Sequence, residues 1–165
     1  MRPRVWGNFV PEVHDPSPEA RSRRDRGLAL YDGGKFVEAL AAFEEATDVD
    51  INFAEGYGWV SAAQLKLGRF EEAMRNIDHA LWLDPFYAWG WNRKGMVFFA
   101  MGDFGGALTC FRKALECEPD FAPAQENLKR TQPLAHVNAA FVDIDTEKRE
   151  MYRMGAPPAK KKPIR

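Results

Sequence analysis

One signal constrains this chain more than anything else in it. Gly34-Lys35-Phe36, Gly68-Arg69-Phe70 and Gly102-Asp103-Phe104 are each followed by an alanine in the same register, Ala39, Ala73 and Ala107, and the interval between successive signals is 34 residues both times. A fixed period of this length describes stacked copies of one supersecondary unit, each too small to bury its own apolar face. The units are written 20–53, 54–87 and 88–121, opening on Ala20, Ala54 and Ala88.

Each unit reads as a helix pair. The first helix ends at the repeated glycine, which tolerates the left-handed backbone of a C-terminal cap. The second follows at once, with apolar residues at helical spacing: Phe36, Ala39, Leu40, Phe43 and Ala46 in unit one, Phe70, Ala73, Ile77, Ala80 and Leu81 in unit two, and Phe104, Ala107, Leu108, Phe111 and Ala114 in unit three. Pro85 and Pro119 close the second helices of units two and three; unit one has Ile51 there and must stop by other means. Small residues share one place in the first helices (Gly27, Ser61, Gly95) and another in the second (Ala39, Ala73, Ala107), which marks where the helices of a pair cross. Ser17 fits an N-cap and Pro18 a first helical residue.

The ends read differently. Residues 1–18 hold Pro3, Pro11, Pro16 and Pro18 and form an extended arm, apolar through Val5, Trp6, Phe9, Val10 and Val13. Residues 122–131 read as a first helix without a mate, ended by Pro133. The extension 132–165 carries a short helical signal about 145–153, with Asp145 or Thr146 as its N-cap, and a basic tail containing Lys160, Lys161 and Lys162. Net charge is −1 overall, but it divides into +2 for residues 1–26, −6 for 27–131 and +3 for 132–165.

Several function classes fall away. No apolar run nears the roughly 20 residues of a membrane span, and the first residues lack a signal peptide's apolar block, so the expected location is cytoplasmic, with the nucleus or another reducing compartment left open. Cys110 and Cys117 stand two helical turns apart, about 10 Å, too far to bridge, and read as small buried apolar residues. His14, His79 and His136 are scattered. No metal, cofactor or catalytic constellation is implied; paired carboxylates such as Glu44-Glu45 and Glu71-Glu72 fall on an outward face, and the chain reads as no enzyme.

The period, the Gly-Ala-Phe-Ala-Pro framework and the aromatics Tyr57 and Trp91 near the start of the first helices make residues 20–121 resemble the tetratricopeptide repeat family. The resemblance implies an all-α fold, a right-handed superhelical α-solenoid of three helix-turn-helix units with a C-terminal capping helix, the whole domain spanning 19–131. Arg23 and Arg26 replace a large aromatic and a leucine of the family in unit one, as expected of a solvent-facing first unit. Lys94 stands at the same leucine-type place in unit three, without a reason visible in the sequence.

The resemblance also implies a concave groove lined by the first helices. One face of each, at spacings of three and four, offers Arg21, Arg24, Leu28 and Tyr31, then Glu55, Gly58, Ala62 and Leu65, then Trp89, Asn92, Met96 and Phe99, with Trp59 and Arg93 beside them. Gly58 and Ala62 would leave an apolar hollow between bulkier neighbours, filled by a foreign peptide or by the chain's own arm. In a subset of the family, two lysines, two asparagines and an arginine clamp the C-terminal carboxylate of heat-shock chaperones; the corresponding residues here are Arg24, Leu28, Trp59, Trp89 and Arg93, of which only the arginines keep the charge. The expected function is a non-catalytic protein-interaction adaptor or subunit of a larger multi-subunit complex, holding a protein or peptide partner in the groove. Trp6 and Phe9 of the arm and Lys160, Lys161 and Lys162 of the tail would serve as further attachments. The alternative is a co-chaperone for chaperone C-terminal peptides or for a secretion-type client. A third reading is contact of the basic tail with nucleic acid; no membrane partner is expected.

Overall fold

The computed structural model describes residues 14–135. Trp6 and Phe9, the short helix about 145–153 and Lys160, Lys161 and Lys162 lie outside the described residues. Within them the chain forms helices α1 (Pro18–Asp32), α2 (Phe36–Val49), α3 (Ala54–Lys66), α4 (Phe70–Leu83), α5 (Ala88–Ala100) and α6 (Phe104–Cys117), and α7 over residues 122–135. Among the described residues there is no strand. Packing is densest within the pairs α1/α2, α3/α4 and α5/α6, and successive pairs join through α2/α3 and α4/α5. No helix among them is long and apolar enough to cross a membrane.

The repeated signal works through its glycine and its phenylalanine together. Gly34, Gly68 and Gly102 sit at φ of 73°, 74° and 82°, in the left-handed region that side chains with a Cβ rarely enter. That turn lets the next N–H reach back five residues to cap the first helix: Lys35 donates to the Leu30 carbonyl at 2.9 Å, Arg69 to Gln64 at 2.9 Å and Asp103 to Phe98 at 2.9 Å. The following phenylalanine then folds onto the last turn just left. Phe36 meets Tyr31 edge-on at 5.2 Å and Phe104 meets Phe99 in the same way at 5.3 Å.

The helix pairs cross where the small residues stand. A Cβ on Gly27 would lie 2.5 Å from the Phe43 ring, and one on Gly95 would run into Phe111. Unit two solves the same place differently. Ile77 replaces the phenylalanine, and Ser61 replaces the glycine, its hydroxyl donating to the Ala73 carbonyl at 2.8 Å. Ser61 and Ile77 are both fully buried, so a larger side chain on one helix is matched by a smaller one on the other.

The second helices end alike with or without proline. Asp50, Asp84 and Glu118 all leave the helix in an extended conformation. In unit one the Asp50 carboxylate accepts from the Asn52 N–H at 3.2 Å, as the Asp84 carboxylate accepts from Phe86 at 3.0 Å; this side-chain turn is the stop that Ile51 cannot supply. Asp50 also pins the chain entering α1. It accepts from the His14 ring at 2.8 and 2.9 Å and from the Ser17 N–H at 2.9 Å, while the Ser17 hydroxyl caps α1 by accepting from Ala20. Burial alone would push the Asp50 carboxyl up. The bonds from His14, Ser17 and Asn52, with the His14 charge, outweigh it and hold the group below the usual carboxylate range.

The leucine-type places are polar for two separate reasons. In unit one, Arg23 pairs with Glu19 at 2.6 Å and Arg26 with Glu45 at 2.7 Å, giving the solvent-facing end its polar cover. In unit three, Lys94 pairs with Asp78 of α4 at 2.6 Å and lies near the Trp91 ring at 5.7 Å, so it bridges two units with its stem covered. At the other end, α7 does not stop at Pro133 as expected but continues to residue 135. A proline there forfeits a single bond, to the Lys129 carbonyl, and the helix is anchored by contacts before it: Phe121 and Ala124 pack against Ala88 and Ala114.

Two outcomes test this account. Gly95→Ser overpacks the crossing and Phe111→Ile leaves a void, each costing about 1–3 kcal/mol, whereas the double substitution copies unit two and recovers most of the loss; fully additive losses in urea unfolding would contradict the matched-volume reading. Asp50→Asn acts on the acid limb. A carboxyl held below its unfolded value, about 3.9, stabilises the fold above that pH and loses the contribution as pH falls through the folded value. The variant is therefore less stable at neutral pH, and in urea titrations its deficit against the parent shrinks as pH falls below the unfolded carboxylate range.

Candidate functional site

The first helices and α7 wall a concave cavity of about 550 Å³. Tyr31 enters it from α1, Trp59, Ala62, Leu65 and Lys66 from α3, and Trp89, Asn92, Arg93, Met96, Phe99 and Ala100 from α5. Ser61 and Phe111 reach it from the helix crossings, and α7 adds Asn127, Arg130 and Thr131. Trp89 and Met96 are 47 % and 36 % exposed, so the wall keeps apolar surface in water.

Arg93 sets the electrostatics. It is only 6 % exposed, with its guanidinium 4.0 Å from the centre of the Trp59 ring and 5.6 Å from that of Trp89. Its hydrogen bond goes to the Tyr87 hydroxyl at 2.6 Å. Burial pushes the Tyr87 phenol up, more than the Arg93 charge and hydrogen bond lower it, so Tyr87 offers Arg93 a lone pair and no charge. Tyr31 is likewise pushed up by burial against the pull of Arg93. Among the described residues no carboxylate pairs with Arg93. Lys66 and Arg130 are also without an ion pair among them, and no Asp or Glu lines the cavity. A domain with an excess of acidic residues thus encloses a groove of one sign, positive.

The support beneath Arg93 runs back through α3. Trp59 donates its indole N–H to Glu55 at 3.2 Å, and Glu55 is in turn held by Arg24 at 2.8 Å. Glu55, Asp84, Asp15, His14 and Tyr87 line a second hollow of about 410 Å³, which shares no lining residue with the groove. On the α7 side, Asn127 donates to Asn92 at 2.9 Å, tying α7 to α5.

The residues expected at the groove divide clearly. Tyr31, Trp59, Ala62, Leu65, Trp89, Asn92, Arg93, Met96 and Phe99 line it; Arg21, Arg24, Leu28, Glu55 and Gly58 do not. Arg24 is turned into ion pairs with Asp25 and Glu55, and Leu28 packs against the core of unit one. The hollow expected over Gly58 is filled from within: a Cβ there would lie 2.8 Å from the Arg93 guanidinium and 2.9 Å from the Tyr87 hydroxyl. The glycine is where Arg93 of α5 and Tyr87, the residue that precedes α5, come in. Lys66, Asn127, Arg130 and Thr131 were not among the expected residues. Carrying the one-face register of the three units into the helix that opens at 122 reaches Arg130, so that cation was within reach of the repeat.

Comparison with known proteins agrees with this architecture. Family models for the tetratricopeptide repeat match residues 13–56, 24–88 and 88–121. The DnaJ homolog subfamily C member 7 of Mus musculus is 29 % identical over 143 residues, 87 % of this chain and 29 % of that protein. The Hsp70-Hsp90 organizing protein 3 of Arabidopsis thaliana is 28 % identical over 108 residues, 66 % of this chain and 19 % of that protein. The chain therefore spans less than a third of the length of either relative. The second TPR domain of human RPAP3, solved in complex with the HSP70 peptide SGPTIEEVD, superposes with a TM-score of 0.63 at 26 % identity, covering 69 % of this chain and 95 % of that one. The Sgt2 TPR domain from Aspergillus fumigatus, at 22 % identity, shares the fold with a TM-score of 0.69 over 91 % of this chain and 92 % of that one.

The geometry makes Arg93 a buried cation without a carboxylate partner among the described residues. Arg93→Met keeps the bulk over Trp59 and removes a buried charge without a counter-ion, but it also takes the donor from the Tyr87 hydroxyl; the two effects offset, and the thermal midpoint moves by less than about 5 °C. A fall of more than about 5 °C, on the order of 1 kcal/mol, would show that the guanidinium is structural.

Proposed function

We propose that this chain, which belongs to the tetratricopeptide repeat family, is a non-catalytic interaction module whose groove holds an extended partner peptide carrying both apolar side chains and carboxylates. The observation that carries this reading is Arg93: a guanidinium nine-tenths buried, lining the groove, with a neutral hydroxyl as its hydrogen-bond partner and no carboxylate paired to it. A hydrogen bond to a charged group contributes about 1.5–3 kcal/mol, and a cation already withdrawn from water on folding costs little further desolvation on binding. Lys66 and Arg130 extend the positive wall, and the exposed faces of Trp89 and Met96 supply apolar area to bury. The arm and the tail would serve as additional attachments in a larger assembly.

A narrower reading favours the C-terminal peptides of chaperones as the ligand. It rests on the relatives named for Hsp70 and Hsp90 and on the neighbour solved with SGPTIEEVD, whose acidic end has the chemistry a carboxylate-free, cationic groove selects. Recognition here would differ from the family's clamp. With Arg24 committed to Glu55 and with Leu28, Trp59 and Trp89 at three of its other places, the carboxylates would meet Arg93, Lys66 and Arg130 instead.

Fluorescence anisotropy with labelled SGPTIEEVD and a copy in which its Glu and Asp are replaced by Gln and Asn tests both readings. The acidic peptide binds more tightly, its affinity falls with added salt, and Arg93→Met or Lys66→Ala/Arg130→Ala weakens it about tenfold, one charge-assisted contact being worth roughly that factor. Equal affinity for the two peptides removes the electrostatic basis of the proposal.

A further inference from the structure

The groove's chemistry also selects among segments of the chain itself. We infer that in the absence of a partner the groove is occupied by residues 141–145, Phe141-Val142-Asp143-Ile144-Asp145, which act as a built-in competitor. The inference rests on the groove reading above and adds a regulator to it.

Three observations converge on this segment. The first is charge. The cavity presents Lys66, Arg93 and Arg130 and no carboxylate, while the chain from Thr131 to Glu147 has no Lys or Arg and carries Asp143 and Asp145 among apolar residues. The second is pattern. In an extended chain alternate side chains point to opposite sides, so Phe141, Asp143 and Asp145 share one edge and Val142 and Ile144 the other. The third is connection. The segment follows α7, which itself lines the groove with Asn127, Arg130 and Thr131, and the five residues 136–140 between them span up to about 18 Å.

The N-terminal arm is the rival occupant and fits less well. It is apolar, but Arg2 and Arg4 at its start carry the groove's own sign. Its described end, His14, is bonded to Asp50 and lines the second hollow with Asp15, Glu55 and Asp84, none of which lines the groove.

Tethering places the segment at an effective concentration on the order of 1 mM, so a segment with an intrinsic Kd of ~0.1 mM weakens a competing peptide about tenfold. The test uses the full chain and Asp143→Asn/Asp145→Asn, which removes both charges and keeps at position 145 a residue able to cap a helix. Two readouts are taken at low salt: the affinity for labelled SGPTIEEVD, and the indole N–H resonances of Trp59 and Trp89 without peptide. The variant is expected to bind the peptide about tenfold more tightly, with both indoles shifted relative to the parent at every protein concentration. Equal affinities with unmoved indoles overturn the self-docking and leave the groove reading standing. If neither protein binds the peptide the groove reading fails, and the indoles still decide: unmoved resonances overturn the inference and shifted ones uphold it. Indole shifts that grow with protein concentration assign the contact to a second copy of the chain and overturn the built-in competitor.

Discussion

The close crossing of two helices is the constraint on which the rest of this molecule depends. The Phe43 and Phe111 rings occupy the space that a side chain at Gly27 and Gly95 would need, and a ring fully buried in that way sets how closely the helices of a pair approach. Once the pair is set, the positive-φ glycine between its helices becomes a geometric necessity, because only a tight reversal brings the second helix back onto the first. The repeat period follows from these two requirements. Unit two shows that volume, more than residue identity, is the conserved quantity within this chain: Ser61 and Ile77 fill what Gly and Phe fill elsewhere.

Stacking such pairs places all the first helices on one concave wall, and this wall departs most from the general character of the domain. Outside it, several cations are answered by carboxylates: Arg23 by Glu19, Arg24 by Glu55, Arg26 by Glu45, Lys94 by Asp78. Inside it, Arg93 is answered by indole faces and a phenol. Ring faces hold a guanidinium in place without neutralising it, which keeps its field available to a ligand. Glu55 contributes at one remove. It is spent on Arg24 and on the Trp59 indole, so it fixes the stacking partner of Arg93 without reaching the groove.

How much of this was legible in the sequence varies with the range of the interaction responsible. The helix pairs, their caps and their crossing were readable because each depends on residues close in sequence and repeated three times. Ser17, Gly34, Gly68 and Gly102 all do what their residue types suggest. The role of Lys94 was opaque because its partner, Asp78, belongs to the preceding unit. Gly58 misled for the same reason. A missing side chain reads as empty space, and only the fold shows Tyr87 and Arg93 arriving from the next unit to fill it. Arg24 was expected in the groove from its register, and a pairing 31 residues away takes it out. Arg130 stands on a helix that reads in the sequence as a cap, and only the packing of α7 makes that helix a fourth contributor to the wall.

The exchange of hydrated side chains for aromatic ones at this wall has a consistent physical logic. A lysine or asparagine in the open groove must be ordered and stripped of water when a ligand arrives, and that cost is subtracted from affinity. An arginine packed against Trp59 and Trp89 has met most of it during folding. What remains is a preorganised positive charge beside exposed apolar surface, inside a domain whose residues 27–131 sum to −6. An acidic ligand is therefore disfavoured over the outer surface and favoured at the groove, so the contrast between the two supplies selectivity that the groove's own contacts would not. A basic peptide meets the reverse arrangement, attracted to the outside and excluded from the wall where Arg93, Lys66 and Arg130 lie.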